Sequence, residues 1–80
     1  MMTIDKLKDA VIGCGNSIYF TYHGEAAGIE PTVKNSVFSY EMWHGTKYRS
    51  ANDFDEMVND KFFGGKSLLD IMNQVTLDFR

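Results

Sequence analysis

A chain of 80 residues makes one domain, residues 1–80, and buries only about 60–65% of its unfolded surface, so its stability margin is thin. A hydrophobic fraction of 44% with 14% aromatic residues excludes a disordered tail, and a net charge of −3 argues against nonspecific nucleic-acid binding, which needs clustered Lys and Arg. The single Cys14 excludes an internal disulfide and points to a reducing setting. No apolar run approaches the roughly 20 residues of a membrane helix, and the first residues lack the apolar segment of a signal peptide. A soluble, cytoplasmic protein is expected.

Residues 3–12 read as a helix. Thr3 can cap it, Asp5 suits its positive end, and Ile4, Leu7, Ala10 and Val11 form one apolar stripe. Gly13 and Gly15 stop it, and Cys14 between them reads as a small buried hydrophobe. Residues 17–23 alternate as a strand, with Ile18, Phe20 and Tyr22 on one face and Tyr19, Thr21 and His23 on the other. Gly24, Gly28 and Pro31 punctuate a loop over 24–31, although Ala26, Ala27 and Ile29 also suit an irregular continuation of the first strand. A second strand is expected over 33–42, its polar start at Lys34, Asn35 and Ser36 being a frayed edge or bulge.

A third strand over 46–50 folds back on the second, and a loop of two, three or four residues could join them. A three-residue loop, Trp43-His44-Gly45, pairs Tyr40 with Tyr48 and Glu41 with Lys47. Phe38, Tyr40, Met42 and Tyr48 then share one face, and Ser39, Glu41, Lys47 and Arg49 share the other. Loops one residue shorter or longer flip one strand and put the cations on the apolar face. Glycine at the third loop position also suits the three-residue turn. The expectation is that Trp43 and His44 sit at the hairpin tip.

Beyond the hairpin, Ser50 and Asp53 match a capping box for a helix with Phe54, Met57, Val58 and Phe62 inward. Its other face carries Asp53, Asp55, Glu56, Asn59 and Asp60. Gly64 and Gly65 stop it, and Ser67 with Asp70 repeats the capping pattern for a third helix with Leu68, Ile71 and Met72 inward. Residues 75–79 fit both periodicities and are read as a short helix followed by a terminal strand or extended tail. The fold expected is α+β: a three-stranded antiparallel sheet, with a fourth C-terminal strand left open, an N-terminal helix and two C-terminal helices, in the order α-β-β-β-α-α.

No catalytic, cofactor or metal set emerges. Gly64-Gly65-Lys66-Ser67 is similar to the end of a phosphate loop, but the glycine that the motif requires at position 60 is Asp60, and a helix precedes it. His23 and Glu25 match half of a zinc-deaminase signature whose two-cysteine half is absent. Cys14, His23 and His44 are the soft ligand candidates, and their spacing is not diagnostic. The binding candidates are the Trp43 and His44 tip with Tyr19, and the acidic face of Asp53, Glu56 and Asp60, which could steer a basic partner.

The aromatic run Tyr40-Glu41-Met42-Trp43 with Gly45, the acidic helix, and Phe63-Gly64-Gly65-Lys66-Ser67-Leu68 with Ile71 resemble short uncharacterised proteins of Gram-positive bacteria and their phages, over about half the chain. The element order is also similar to that of some small phage inhibitors of bacterial defence systems. The resemblance implies no activity. The function expected is that of a non-enzymatic protein-binding module, phage- or prophage-related on this resemblance, that also self-associates. The alternatives are a small-ligand or enzyme site lined by Tyr19, Tyr22, His23 and His44, and nucleic-acid binding through Lys34, Lys47 and Arg49 with Tyr19 stacking.

Overall fold

Two-residue turns organise the middle of the chain. In the computed structural model, which describes residues 2–80, His23 and Gly24 take φ of 52° and 77°, and Asn35 and Ser36 take 53° and 65°. Two successive left-handed residues make the type I′ kind of turn, whose twist matches that of its flanking strands. Gly45, at φ 62°, opens a third two-residue turn with Thr46, which is not left-handed; glycine in the first place makes this the type II′ kind. These turns join β1 (Ile18–Tyr22), β2 (Glu25–Lys34), β3 (Val37–His44) and β4 (Lys47–Ala51) into an antiparallel meander. The chain end returns as β5 (Asp78–Phe79) beside β1, giving the sheet order β4-β3-β2-β1-β5.

The fold is therefore α+β with an antiparallel sheet, but of five strands: the C-terminal strand left open above is present as β5, and one further strand lies in the middle of the chain. The region expected as a loop over 24–31 is the first part of β2, and the strand expected over 33–42 is broken by the turn at Asn35 and Ser36. Gly28 and Pro31 read as loop punctuation, yet each has a place in the strand. At Gly28 a Cβ would come within 2.3 Å of Trp43 Cζ2, so the missing side chain makes room for the indole. Pro31 lies past Ile29, the last β2 residue with a partner on β1. Ser17 exchanges both backbone hydrogen bonds with Arg80, so alternation turns Ile18 toward β2 and Ile29 toward β1. Two residues on, Pro31 faces the space β1 has left, where its missing N–H costs no ladder bond.

The hairpin register also differs. The loop is Gly45 and Thr46, and the pairs are His44 with Lys47, Trp43 with Tyr48, Met42 with Arg49 and Tyr40 with Ala51. Trp43 and His44 are strand residues, not the tip. Tyr40, Met42 and His44 face the helices and are buried; Glu41, Trp43 and Tyr48 face the other way. Tyr48 thus belongs to the outer face, and Lys47 and Arg49 to the helix side. This register puts cations on the apolar face, which β4 tolerates because it is an edge strand. The Arg49 guanidinium reaches past the core to Asp60 at 2.5 Å and lies 5.4 Å from the Phe62 ring centroid. Phe38 is on the expected side but remains half exposed.

The N-terminal helix α1 (Ile4–Lys8) is capped by Thr3, which accepts from the Lys6 N–H, and continues as a π turn over Asp9–Gly13. Leu7 and Val11 are buried, but Ile4 and Ile12 are exposed, so the inward stripe is narrower than expected; Cys14 is exposed, not buried. Helix α2 (Phe54–Asn59) is capped by Asp53, not Ser50: Asp53 accepts from the Glu56 N–H, and Glu56 accepts from the Asn52 N–H. Helix α3 (Leu68–Ile71) has the expected box of Ser67 and Asp70. One apolar core holds these elements together. Phe20, Ile29, Met42, Met57, Phe63, Leu68 and Ile71 are among its members, and Val75, Leu77 and Phe79 pack against its margin. No helix among the described residues is long and apolar enough to cross a membrane.

Candidate functional site

With the helices on one side of the sheet, its other side is open. Register sets a row across that open face. Asp78 pairs with Tyr19, Tyr19 with Gly28, Gly28 with Trp43, and Trp43 with Tyr48, from β5 to β4. Directly paired residues project to the same face, so Tyr19, Trp43 and Tyr48 stand in one line with a gap at Gly28. The indole fills that gap. Tyr19 and Trp43, two strands apart, meet edge to face with ring centroids 5.3 Å apart and planes at 70°. Such a pair contributes about 0.5–1.5 kcal/mol beyond its burial. Arg80 closes the β5 end, its guanidinium 4.6 Å from the Tyr19 centroid and 2.8 Å from the Asp78 carboxylate. At the β4 end Tyr48 is 65% exposed.

The next row on the same face is acidic. Glu30 and Glu41 are directly opposed on β2 and β3, in line with Ser50 on β4. The Ser50 hydroxyl and the Tyr48 hydroxyl both donate to the Glu41 carboxylate. These two bonds, Ser50 first, hold the Glu41 pKa below its ordinary value, and the bond to Glu41 raises that of Tyr48. Glu41 is therefore a fixed anion at neutral pH and Tyr48 a fixed donor. The ion pairs among the described residues are Arg49 with Asp60, Lys61 with Asp70 and Arg80 with Asp78; none engages Glu30 or Glu41.

Of the expected binding residues, the fold unites Tyr19 and Trp43 and separates the rest. His44 points to the opposite side, buried, with Nε2 3.1 Å from the Tyr22 carbonyl oxygen. Asp53 and Glu56 bond α2's own backbone, and Asp60 pairs with Arg49. The histidine set is brought together only in part: Tyr22 neighbours both imidazoles, His23 stacked on it at the turn at 3.9 Å and buried His44 at 5.8 Å, while Tyr19 is on the open face. The basic set is split as well, because Lys34 belongs to the open face while Lys47 and Arg49 lie on the helix side. Residues 64–67 form a turn closed by a bridge between Phe63 and Lys66 and followed by the α3 cap, so this segment is a helix stop and a new start. Among the described residues no group of three His, Cys, Asp or Glu is placed to hold a metal ion.

Three surface clefts accompany the row. One of about 480 Å³ lies between β1 and residues 74–76, next to Asp78 and Arg80. One of about 330 Å³ is lined by Ile12, Phe38, Tyr40 and Phe54 with Asp53 and Asp55 at its edge, and a third by Arg49, Lys61 and Phe62. None is lined by a histidine. Gly28, Glu30 and Arg80 were absent from the sequence-derived candidates. The signal that finds them is the pair of turns at residues 23–24 and 35–36, because the register follows from those turns.

The fold and this surface define a small α+β domain with one sheet face free. No protein-family model, curated protein or solved structure matches the chain.

Proposed function

We propose that this protein is a small non-enzymatic module that binds another protein through the open face of its sheet. The observation that carries this reading is the row of Tyr19, Trp43 and Tyr48, laid over Gly28 and left without cover by any element of the fold. Large aromatic side chains at the centre of a contact supply most of its binding energy. Tyr19 and Trp43 are half-buried and packed edge to face, and Tyr48 is exposed beside them, so the first two are presented at little entropic cost. A phage or prophage setting, the one the resemblance implies, is compatible with the same reading. Capture from the native cell tests it. The full-length chain is compared with Trp43→Ala and Tyr48→Ala, and with Lys66→Ala as a control away from the face. A partner retained by wild type and the control but lost by both aromatic variants supports the reading; identical capture by all four removes it.

Self-association has a separate observation behind it. The β2–β3 hairpin runs past both neighbouring strands and exposes Val33 at 60%, Val37 at 65% and Phe38 at 52%. Light scattering over a concentration series tests this part: a strict monomer at all concentrations ends it.

A further inference from the structure

We infer that the open face takes a cationic segment of its partner, with an arginine or lysine side chain held between Trp43 and the paired carboxylates of Glu30 and Glu41; this rests on the protein-binding reading above and names its ligand chemistry. Two features of the face lead there. The first is the opposition of Glu30 and Glu41. Like charges directly across a strand pair destabilise a sheet, and neither carboxylate has a cation within ion-pair distance among the described residues. Glu41 does not escape by protonation, since Ser50 and Tyr48 hold it as the anion. The free protein thus presents two carboxylates on its open face with no cation paired to either among the described residues.

The second feature is the other end of the row. There the fold itself builds a cation over an aromatic ring beside a carboxylate: Arg80 over Tyr19, paired with Asp78. At the Trp43 end the ring and the carboxylates are present and the cation is missing. Glu41 is two residues before Trp43 on β3, and Glu30 two residues after Gly28 on β2, so the carboxylates begin about 7 Å along the strands from the indole. A guanidinium or ammonium group spans that distance, with its charge against the ring face and its donors on the carboxylates. The same carboxylates repel phosphate, so the partner is a basic peptide segment and not a nucleic acid.

Trp43 is the single tryptophan, and its emission reports on the site directly. The probe is a capped hexa-arginine peptide, with a neutral glycine–serine peptide, hexaglutamate and calcium chloride for comparison. The expected result is a saturable change in Trp43 emission with hexa-arginine alone, weakened by salt. Glu30→Gln lowers the apparent affinity about tenfold, the loss typical of one charged hydrogen bond. The same variant does not lower the melting temperature of the free protein, because Glu30 makes no side-chain hydrogen bond or ion pair among the described residues. Loss of affinity without loss of stability is what a merely structural role would not give. A charge-matched control, Asp9→Asn on the exposed surface of the N-terminal helix, leaves the response unchanged. The inference is overturned if the neutral peptide or calcium acts as well as hexa-arginine, if the charge-matched control weakens the response as much as Glu30→Gln, or if Glu30→Gln leaves affinity unaltered. The capture experiment keeps the two levels apart. A cellular partner lost by Trp43→Ala but kept by a Glu30→Gln, Glu41→Gln double variant sinks the cationic ligand and spares the protein-binding reading. A partner kept by both variants sinks the reading of the face itself.

Discussion

Gly28→Ala tests the geometry of the open face most directly. The added Cβ would lie 2.3 Å from Trp43 Cζ2 and 2.4 Å from the Ile18 carbonyl oxygen, both far inside van der Waals contact. The indole can swing away, but it then loses its edge contact with Tyr19 at 5.3 Å. The carbonyl belongs to the β1–β2 ladder and can only move with the strand. Loss of the aromatic pair is worth about 0.5–1.5 kcal/mol and overpacking about 1–3 kcal/mol, while alanine's better strand entropy returns about 0.5–1 kcal/mol. The net expectation is a destabilisation of about 1–3 kcal/mol, or a fall in melting temperature of roughly 5–20 °C for a domain of this size. Thermal unfolding followed by circular dichroism measures it, and Trp43 emission should shift red as the indole leaves the sheet. Trp43→Ala in the same background separates the two clashes. If the indole carries its share, Gly28→Ala costs at least about 0.5 kcal/mol less when Trp43 is already gone, the threshold above which neighbouring sites count as coupled. Strict additivity, or a Gly28→Ala protein as stable as wild type with unchanged emission, would refute the packing of Trp43 on Gly28.

Three further outcomes follow from residues away from that row. His44→Ala should destabilise by about 2–4 kcal/mol in urea unfolding, since it opens a cavity in the core and removes the partner of the Tyr22 carbonyl; a tip residue would cost almost nothing. Arg49→Ala should cost only about 0.5–1 kcal/mol, because its side chain is half exposed and loses one ion pair and one ring contact; a change in urea midpoint several times larger would place Arg49 inside the core. Asp70 is held down from 3.8 to about 2 by the Ser67 backbone N–H first and by Lys61 second. Its folded pKa is depressed, so its stabilisation is complete above the ordinary carboxylate range and fades as pH falls toward 2. The difference in melting temperature between wild type and Asp70→Ala should close over that window, and a gap that persists at pH 2 would contradict the capping geometry.

The parts of the fold legible in sequence were those with local causes. Thr3, Ser67 and Asp70 cap where their residue types say they should, and the apolar residues of the α2 segment face inward. The register was not legible because it depends on the whole sheet. The three-residue loop kept Lys47 and Arg49 off the apolar face, an assumption that holds for a central strand and fails for an edge strand whose side chains reach past the core. That one step misplaced Trp43, His44 and Tyr48 together. Gly28 and Pro31 misled for the same reason: each looks like a break until its neighbour across the sheet is known. Ser50 lost the α2 cap to Asp53 because β4 continues to Ala51, leaving Ser50 in the ladder opposite Glu41. Tyr19 and Trp43 were named as binding residues from their type alone; their contact required the turns at residues 23–24 and 35–36.

Pro31 has a further consequence, for solubility. The two outer strands of this sheet are guarded. The outer strand β4 carries Lys47 and Arg49, and β5 offers only two residues. Past Ile29, however, β2 presents an unpaired side beside the exposed Val33 and Phe38, the kind of margin on which a second chain can template. Of the two residues there whose backbone faces outward, Pro31 has no hydrogen to give and only Val33 does. A foreign strand arriving on that side meets a broken ladder at its first rung. One ring thus blunts the β2 side of the projecting hairpin, so that association there falls to its apolar side chains rather than to its ladder.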